Sequence, residues 1–107
     1  MGTVRKQVTL VGTQGAAVIK DAVIDTGAVL MVLPPDVASG IGLRNIEMHR
    51  RKLADGSVVT VPVGTLRSVS LNGRSTEETV GSYRVAASVM GDEVLVGVEV
   101  LEYLNMG

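Results

Sequence analysis

The sequence predicts a mainly β fold: a small closed β-barrel with several hairpins and one short C-terminal helix. Three observations carry this. Twenty valines and thirteen glycines among 107 residues, with two tyrosines and no Phe or Trp, describe a core packed from small branched side chains. Short apolar runs alternate with the hairpin dipeptides Asp55-Gly56 and Asn72-Gly73 and with a further turn at Gly91-Asp92. Only near the end does the spacing become helical. The length leaves no room for a second core, so residues 1–107 form one domain.

Each element has its own signal. Residues 3–11 partly alternate and predict a first strand. Gly12-Thr13-Gln14-Gly15 turns the chain, and Ala16 to Ile24 returns as the second arm. Val29 to Leu33 is a continuous apolar run and predicts a buried strand, stopped by Pro34-Pro35, which cannot donate to a ladder. Pro35 to Ile41 predicts a short helical turn that ends in Gly40-Ile41-Gly42. Residues 47–53 and 57–63 then form the arms of a polar hairpin around Asp55-Gly56. Val58 to Leu71 is strand-like but holds Pro62 and Gly64, which predict a bend or an edge. After Asn72-Gly73, the polar stretch from Arg74 to Val80 predicts an exposed strand or loop. Gly81 to Val89 returns to the sheet, and Glu93 to Gly97 is a short buried strand. In the tail, Val98, Leu101 and Leu104 lie three apart while Glu99 and Glu102 fall on another side, as an amphipathic helix requires.

Composition narrows the chemistry. Ten basic and eleven acidic residues leave no basic footprint, so nucleic acid is not an expected partner. No stretch of 18 apolar residues suggests a membrane span, and the N-terminus lacks a signal-like apolar core, so the expected location is cytoplasmic. With no Cys and one His, His49, neither a thiol nucleophile nor a Cys- or multi-His metal site is available, and no metal or cofactor is expected. The basic run Arg50-Arg51-Lys52 beside His49 reads as a solvated strand, with binding of acidic substrates as the functional alternative.

The chemically informative stretch is Ala22-Val23-Ile24-Asp25-Thr26-Gly27-Ala28. An apolar strand that ends in a carboxylate delivers it to the mouth of the core, where water thins out and its proton becomes useful. The plain alternative is a turn, Asp and Gly being common turn residues. Asp21 lies on the same strand face as Asp25 but about 13 Å of chain away, too far to share a proton, and reads as a solvated turn residue.

Together these pieces resemble the retropepsin-like aspartic proteases. The matches fall in the family's order: the strand entering Asp25-Thr26-Gly27-Ala28, then Val32-Leu33-Pro34, a flap-like hairpin tipped by Ala54-Asp55-Gly56-Ser57, and Leu95-Val96-Gly97 running into a short helix. The resemblance implies a barrel of the acid-protease type with a hairpin flap. Asp25, Thr26 and Gly27 would then be the catalytic loop, with Asp25 the catalytic carboxylate. The Thr26 hydroxyl would brace the loop across a dimer interface. Gly27, Ala28 and Val29, with the flap residues Ala54, Asp55, Gly56 and Ser57, would contact substrate. Gly97 would let its strand pack tightly beneath the loop. Val29 and Leu30 stand where many relatives carry polar residues that touch substrate.

Carboxylate-catalysed peptide hydrolysis needs two acids sharing one proton, and no second Asp-Thr-Gly exists in the chain. The second Asp25 must therefore come from another copy across a two-fold axis. The expected function is a homodimeric aspartic endopeptidase acting on a peptide or protein substrate. The alternative is a non-catalytic dimeric module of the same fold that binds peptides or organises an assembly.

Overall fold

The computed structural model describes residues 4–77 and 85–104. Strands β1 (Val4–Val11) and β2 (Ala16–Ile24) form the first hairpin, in register from Val4↔Ile24 to Val11↔Ala16. Asp21 is an exposed residue inside β2, not in a turn. The turn between the strands docks on helix α1 (Pro35–Ile41). The Thr13 and Gln14 N–H groups donate to the Gly42 and Ile41 carbonyls (3.0 and 2.8 Å), which the helix cannot satisfy internally.

Strand β3 is shorter than the apolar run predicts, covering only Met31–Leu33. Val29 and Leu30 leave the ladder because the carbonyls before β3 serve another partner. Ala28 and Val29 accept hydrogen bonds from the Val98 and Glu99 N–H groups (2.8 and 2.9 Å), the free donors of the C-terminal helix. Hydrophobicity marks these residues as apolar but says nothing of that competing bond.

Strands β4 (Arg44–Lys52) and β5 (Val58–Leu66) build the polar hairpin. Pro62 lies inside β5, opposite Met48, one residue before pairing with the next strand begins at Val63↔Ser88. There β5 has a neighbour on one side only, which tolerates the missing donor. The chain breaks at Arg67 and resumes as β6 (Ser68–Leu71). Asn72 and Gly73, both at positive φ (54° and 77°), close the two-residue hairpin to β7 (Arg74–Ser75), as Asn-Gly predicts. Thr76 departs from the exposed stretch expected after Arg74. It is fully buried, and its Oγ1 accepts a hydrogen bond from the Val69 N–H (2.9 Å). The expected course of residues 78–84 lies outside the described residues.

Strands β8 (Val85–Val89) and β9 (Leu95–Val96) and helix α2 (Val98–Tyr103) complete the chain. The nine strands among the described residues join one mixed sheet in the order β4-β5-β8-β3-β9-β2-β1-β6-β7, curled as a half-barrel. Its inner layer is Leu10, Met31, Leu33, Leu66, Val69, Val85 and Val96, all fully buried and clustered with Val100 of α2. The mainly β expectation with one short C-terminal helix therefore stands. Helix α2 buries Val100 as well as Leu101 and Leu104, so its apolar side is wider than a three-residue spacing suggests. Its C-terminal end receives a donor from elsewhere, Arg74 Nη1 bonding to the Leu104 carbonyl at 3.0 Å. No helix among the described residues is long and apolar enough to cross a membrane.

Candidate functional site

The candidate site is the loop between β2 and β3. Two parallel-ladder bonds, Val23 N–H to Val94 O (2.9 Å) and Asp25 N–H to Val96 O (3.0 Å), carry the alternation of β2 through to Asp25. The Asp25 side chain therefore projects from the same face as Val23, opposite the core-packed Ile24. The chain then turns sharply: the Ala28 N–H donates to Asp25 O (3.2 Å), and the Gly27 N–H donates to Asp25 Oδ1 (2.8 Å). This second bond fixes one carboxylate oxygen in place. Asp25 is half-buried, while Thr26 and Gly27 are exposed.

Beneath the loop lies Gly97. A Cβ there would stand 2.4 Å from the Leu30 carbonyl oxygen and 2.7 Å from that of Val29, so only glycine admits this approach. The close packing brings the α2 donors onto Ala28 and Val29. The Asp25 loop is thus held at one end by β9 and at the other by α2, both distant from it in sequence.

Pairing across the sheet defines what shares the Asp25 face. Partners in register point to the same side, so Val23, Leu95, Val32, Ser88 and Val63 form one row from β2 to β5. Val23, Val32 and Leu95 are half-buried, whereas Val63 and Ser88 are nearly covered. This row makes a partly open apolar wall beside the carboxylate.

The other expected site residues fall into two groups. Ala28 and Val29 lie on the Asp25 loop, and Val29 is 67% exposed despite its apolar side chain. Ala54, Asp55, Gly56 and Ser57 form the exposed tip of the β4–β5 hairpin, and strands β8, β3 and β9 separate that hairpin from β2 in the sheet. The tip is well ordered by its own bonds. Gly56 takes φ +89°, as Asp-Gly predicts, and its N–H donates to Leu53 O (3.0 Å). Asp55 Oδ1 accepts from both the Ser57 hydroxyl (2.6 Å) and the Ser57 N–H (2.9 Å). These hydrogen bonds, the hydroxyl's first, hold the Asp55 carboxyl below the usual carboxylate range.

Two features escape sequence reasoning. Thr26 opens onto an apolar groove of about 310 Å³, lined by Val4, Ile24, Leu71 and Leu101 with Lys6 and Asn72. These residues come from four separate segments, so no local motif marks them. Arg51, expected on a solvated strand with its neighbours, is instead half-buried and donates from Nη2 to Ser88 Oγ at 3.3 Å. Its register opposite Val59 puts it on the Asp25 face. Arg50 and Lys52 are exposed as expected.

Among known proteins, the crystal structure of a retropepsin-like aspartic protease from Rickettsia conorii shares the fold. It is 19% identical over 95% of this chain and 82% of that one, with a TM-score of 0.56. No curated protein matches the sequence. The family model described as "gag-polyprotein putative aspartyl protease" matches residues 12–103. That match takes in the Asp25 loop, the hairpin and the C-terminal helix, so the chain belongs to this retropepsin-like aspartic protease family.

Proposed function

We propose that this chain is one half of a homodimeric aspartic endopeptidase in which a water activated by two Asp25 carboxylates, one per chain, hydrolyses a peptide bond. The observation that carries the reading is the Asp25 loop. A carboxylate stands at the open end of a strand, with one oxygen held by the Gly27 N–H and the backbone pinned from below by β9 and α2. A second copy placed on the exposed Thr26 side would bring the two carboxylates together, and the apolar groove beside Thr26 supports contact there. One ionised carboxylate then takes a proton from water while its protonated partner gives one to the carbonyl oxygen. The water attacks directly, so no covalent intermediate forms. Val29 and the hairpin tip, Ala54 to Ser57, hold the extended substrate, with Gly27 and Ala28 presenting backbone to it.

The decisive comparison is wild type against Asp25→Asn on an unbiased peptide mixture from mildly acidic to neutral pH. Asparagine keeps the size but removes the base. Wild type is expected to cleave with a bell-shaped pH profile whose limbs belong to the pair of carboxylates. Its specific activity should fall on dilution through the dimer dissociation constant. Asp25→Asn is expected to fold and not cleave. Equal cleavage by both proteins would refute the assignment. Peptide binding without cleavage by wild type would instead favour the dimeric binding module.

A further inference from the structure

We infer that Arg51 is a specificity-determining residue that selects a substrate carrying a carboxylate side chain, Asp or Glu, where the extended peptide crosses the apolar wall away from the scissile bond. The inference rests on the Asp25 loop being a peptide-processing site. Arg51 belongs to the edge strand β4, where every other residue from Arg44 to Lys52 is exposed. It alone folds back over the sheet, past β5, to reach Ser88 on β8.

Ser88 is not part of the main apolar core. It is paired with Val63 on one side and Val32 on the other, in the row that continues through Leu95 to Val23 and the Asp25 side of the sheet. The guanidinium is therefore a cation placed on an otherwise apolar wall, at the end away from the catalytic carboxylate. Its hydrogen bonding is incomplete. Nη2 meets the Ser88 hydroxyl, but Nε is buried without an acceptor among the described residues. A guanidinium carries five donors in a planar fork, and a buried donor left unmatched is unfavourable. A carboxylate arriving along the wall supplies two acceptors, and a small turn of the side chain about its Ser88 contact presents Nε and an Nη together.

The charged groups sharing this face of β4 are Glu47 and His49. They lie 3.8 Å from one another and are both well exposed. Glu47 lies against the His49 ring, and Arg51 has no carboxylate bonded to it among the described residues. A half-buried arginine beside an apolar subsite favours an acidic residue by charge and by bidentate geometry, where a solvated basic strand would give only weak, salt-screened attraction.

The test uses two peptides from the best-cleaved sequence, identical except for Glu or Gln at the proposed position. Wild type, Arg51→Met and Arg51→Lys are compared on both. Methionine keeps the apolar stem, and lysine keeps the charge without the fork. Wild type should favour the Glu peptide in kcat/KM by about tenfold. Arg51→Met should erase that ratio and Arg51→Lys should restore part of it. Loss of activity on both peptides in equal measure would assign Arg51 a structural role and overturn the inference. Asp25-dependent cleavage with no Glu-over-Gln ratio in wild type would also overturn it while leaving the protease reading intact. If wild type cleaves nothing, a Glu/Gln pair built on the tightest-binding peptide of the mixture is titrated for binding instead. An Arg51-dependent preference for Glu then supports the inference although the protease reading fails. Binding without that preference, or no binding, overturns it.

Discussion

Replacing Gly97 with alanine tests whether the loop bearing Asp25 is held by close packing from below. The residue has φ −86° and ψ 175°, a conformation open to any L-amino acid, so the substitution carries no backbone strain of its own. On that ground alone Gly→Ala should stabilise by about 0.4–1 kcal/mol through the unfolded chain. The added methyl, however, would stand 2.4 Å from Leu30 O and 2.7 Å from Val29 O, both backbone atoms. Reaching an ordinary C···O contact of about 3.3 Å needs an opening of roughly 0.9 Å between the loop and α2. The same two segments are joined by the Val98–Ala28 and Glu99–Val29 bonds of 2.8 and 2.9 Å. If the opening falls on these bonds they lengthen past the usual limit of about 3.2 Å. Two such bonds contribute about 1 kcal/mol each, and overpacking adds about 1–3 kcal/mol. The net expectation is a loss of about 2–4 kcal/mol, a large share of a small domain's stability.

Urea unfolding of Gly97→Ala should then show a lower midpoint with unchanged slope, and thermal unfolding a drop of about 10–25 °C. Gly40→Ala is the control. It lies in α1 with nothing within 4 Å of its added methyl, and should raise stability by about 0.5–1 kcal/mol. A Gly97→Ala protein as stable as wild type would refute the packing argument, because the backbone would have absorbed the methyl without losing its bonds.

Three further outcomes are expected. Gly56→Val places a β-branched residue at φ +89° in open space, so its penalty of about 1–2 kcal/mol is conformational and confined to the hairpin tip. Turnover should fall more than the unfolding midpoint does, and unchanged turnover would remove Ala54 to Ser57 from the site. Thr76→Val keeps the shape but leaves the buried Val69 N–H without its acceptor, and should destabilise by about 1–3 kcal/mol in denaturant titration. For Asp55 the carboxyl is held low by the Ser57 hydroxyl and N–H, so its support of the tip is complete above the ordinary carboxylate value and disappears as pH falls through the lowered one. Exchange of the Ser57 amide, corrected for its intrinsic pH dependence, should accelerate over that acid window in wild type and not in Asp55→Ala. A pH-independent corrected rate in wild type would count against the bond.

What the sequence makes legible is local chemistry. Asp55-Gly56 and Asn72-Gly73 specify their turns because few residues accept positive φ. Pro35 opens α1 where a missing N–H does no harm, and the Val98–Leu104 spacing marks α2. Asp25 stands out because a carboxylate ends an apolar strand. What stays hidden depends on partners distant in the chain. Val29 and Leu30 are as apolar as any strand residue, and only the α2 donors take their neighbouring carbonyls away from the ladder. Thr76 reads as surface until Val69 needs its oxygen. Arg51 is one of three consecutive basic residues, and only its register against Val59, with Ser88 within reach, separates it from the other two.

The insertion of β9 between β2 and β3 also sets an order of events during synthesis. Asp25 and its turn are synthesised well before Val94, Val96, Val98 and Glu99, whose bonds anchor them to the sheet and helix. Hairpin β1–β2 can form from neighbouring residues, whereas the parallel β2–β9 pair must first close a loop of about two thirds of the residues. A nascent chain without β9 and α2 carries the Asp-Thr-Gly turn without the bonds that fix it from below. The anchoring of the carboxylate therefore waits on translation of residues 94–103, and a message cut short before them yields a polypeptide whose Asp25 loop is not fixed to the sheet.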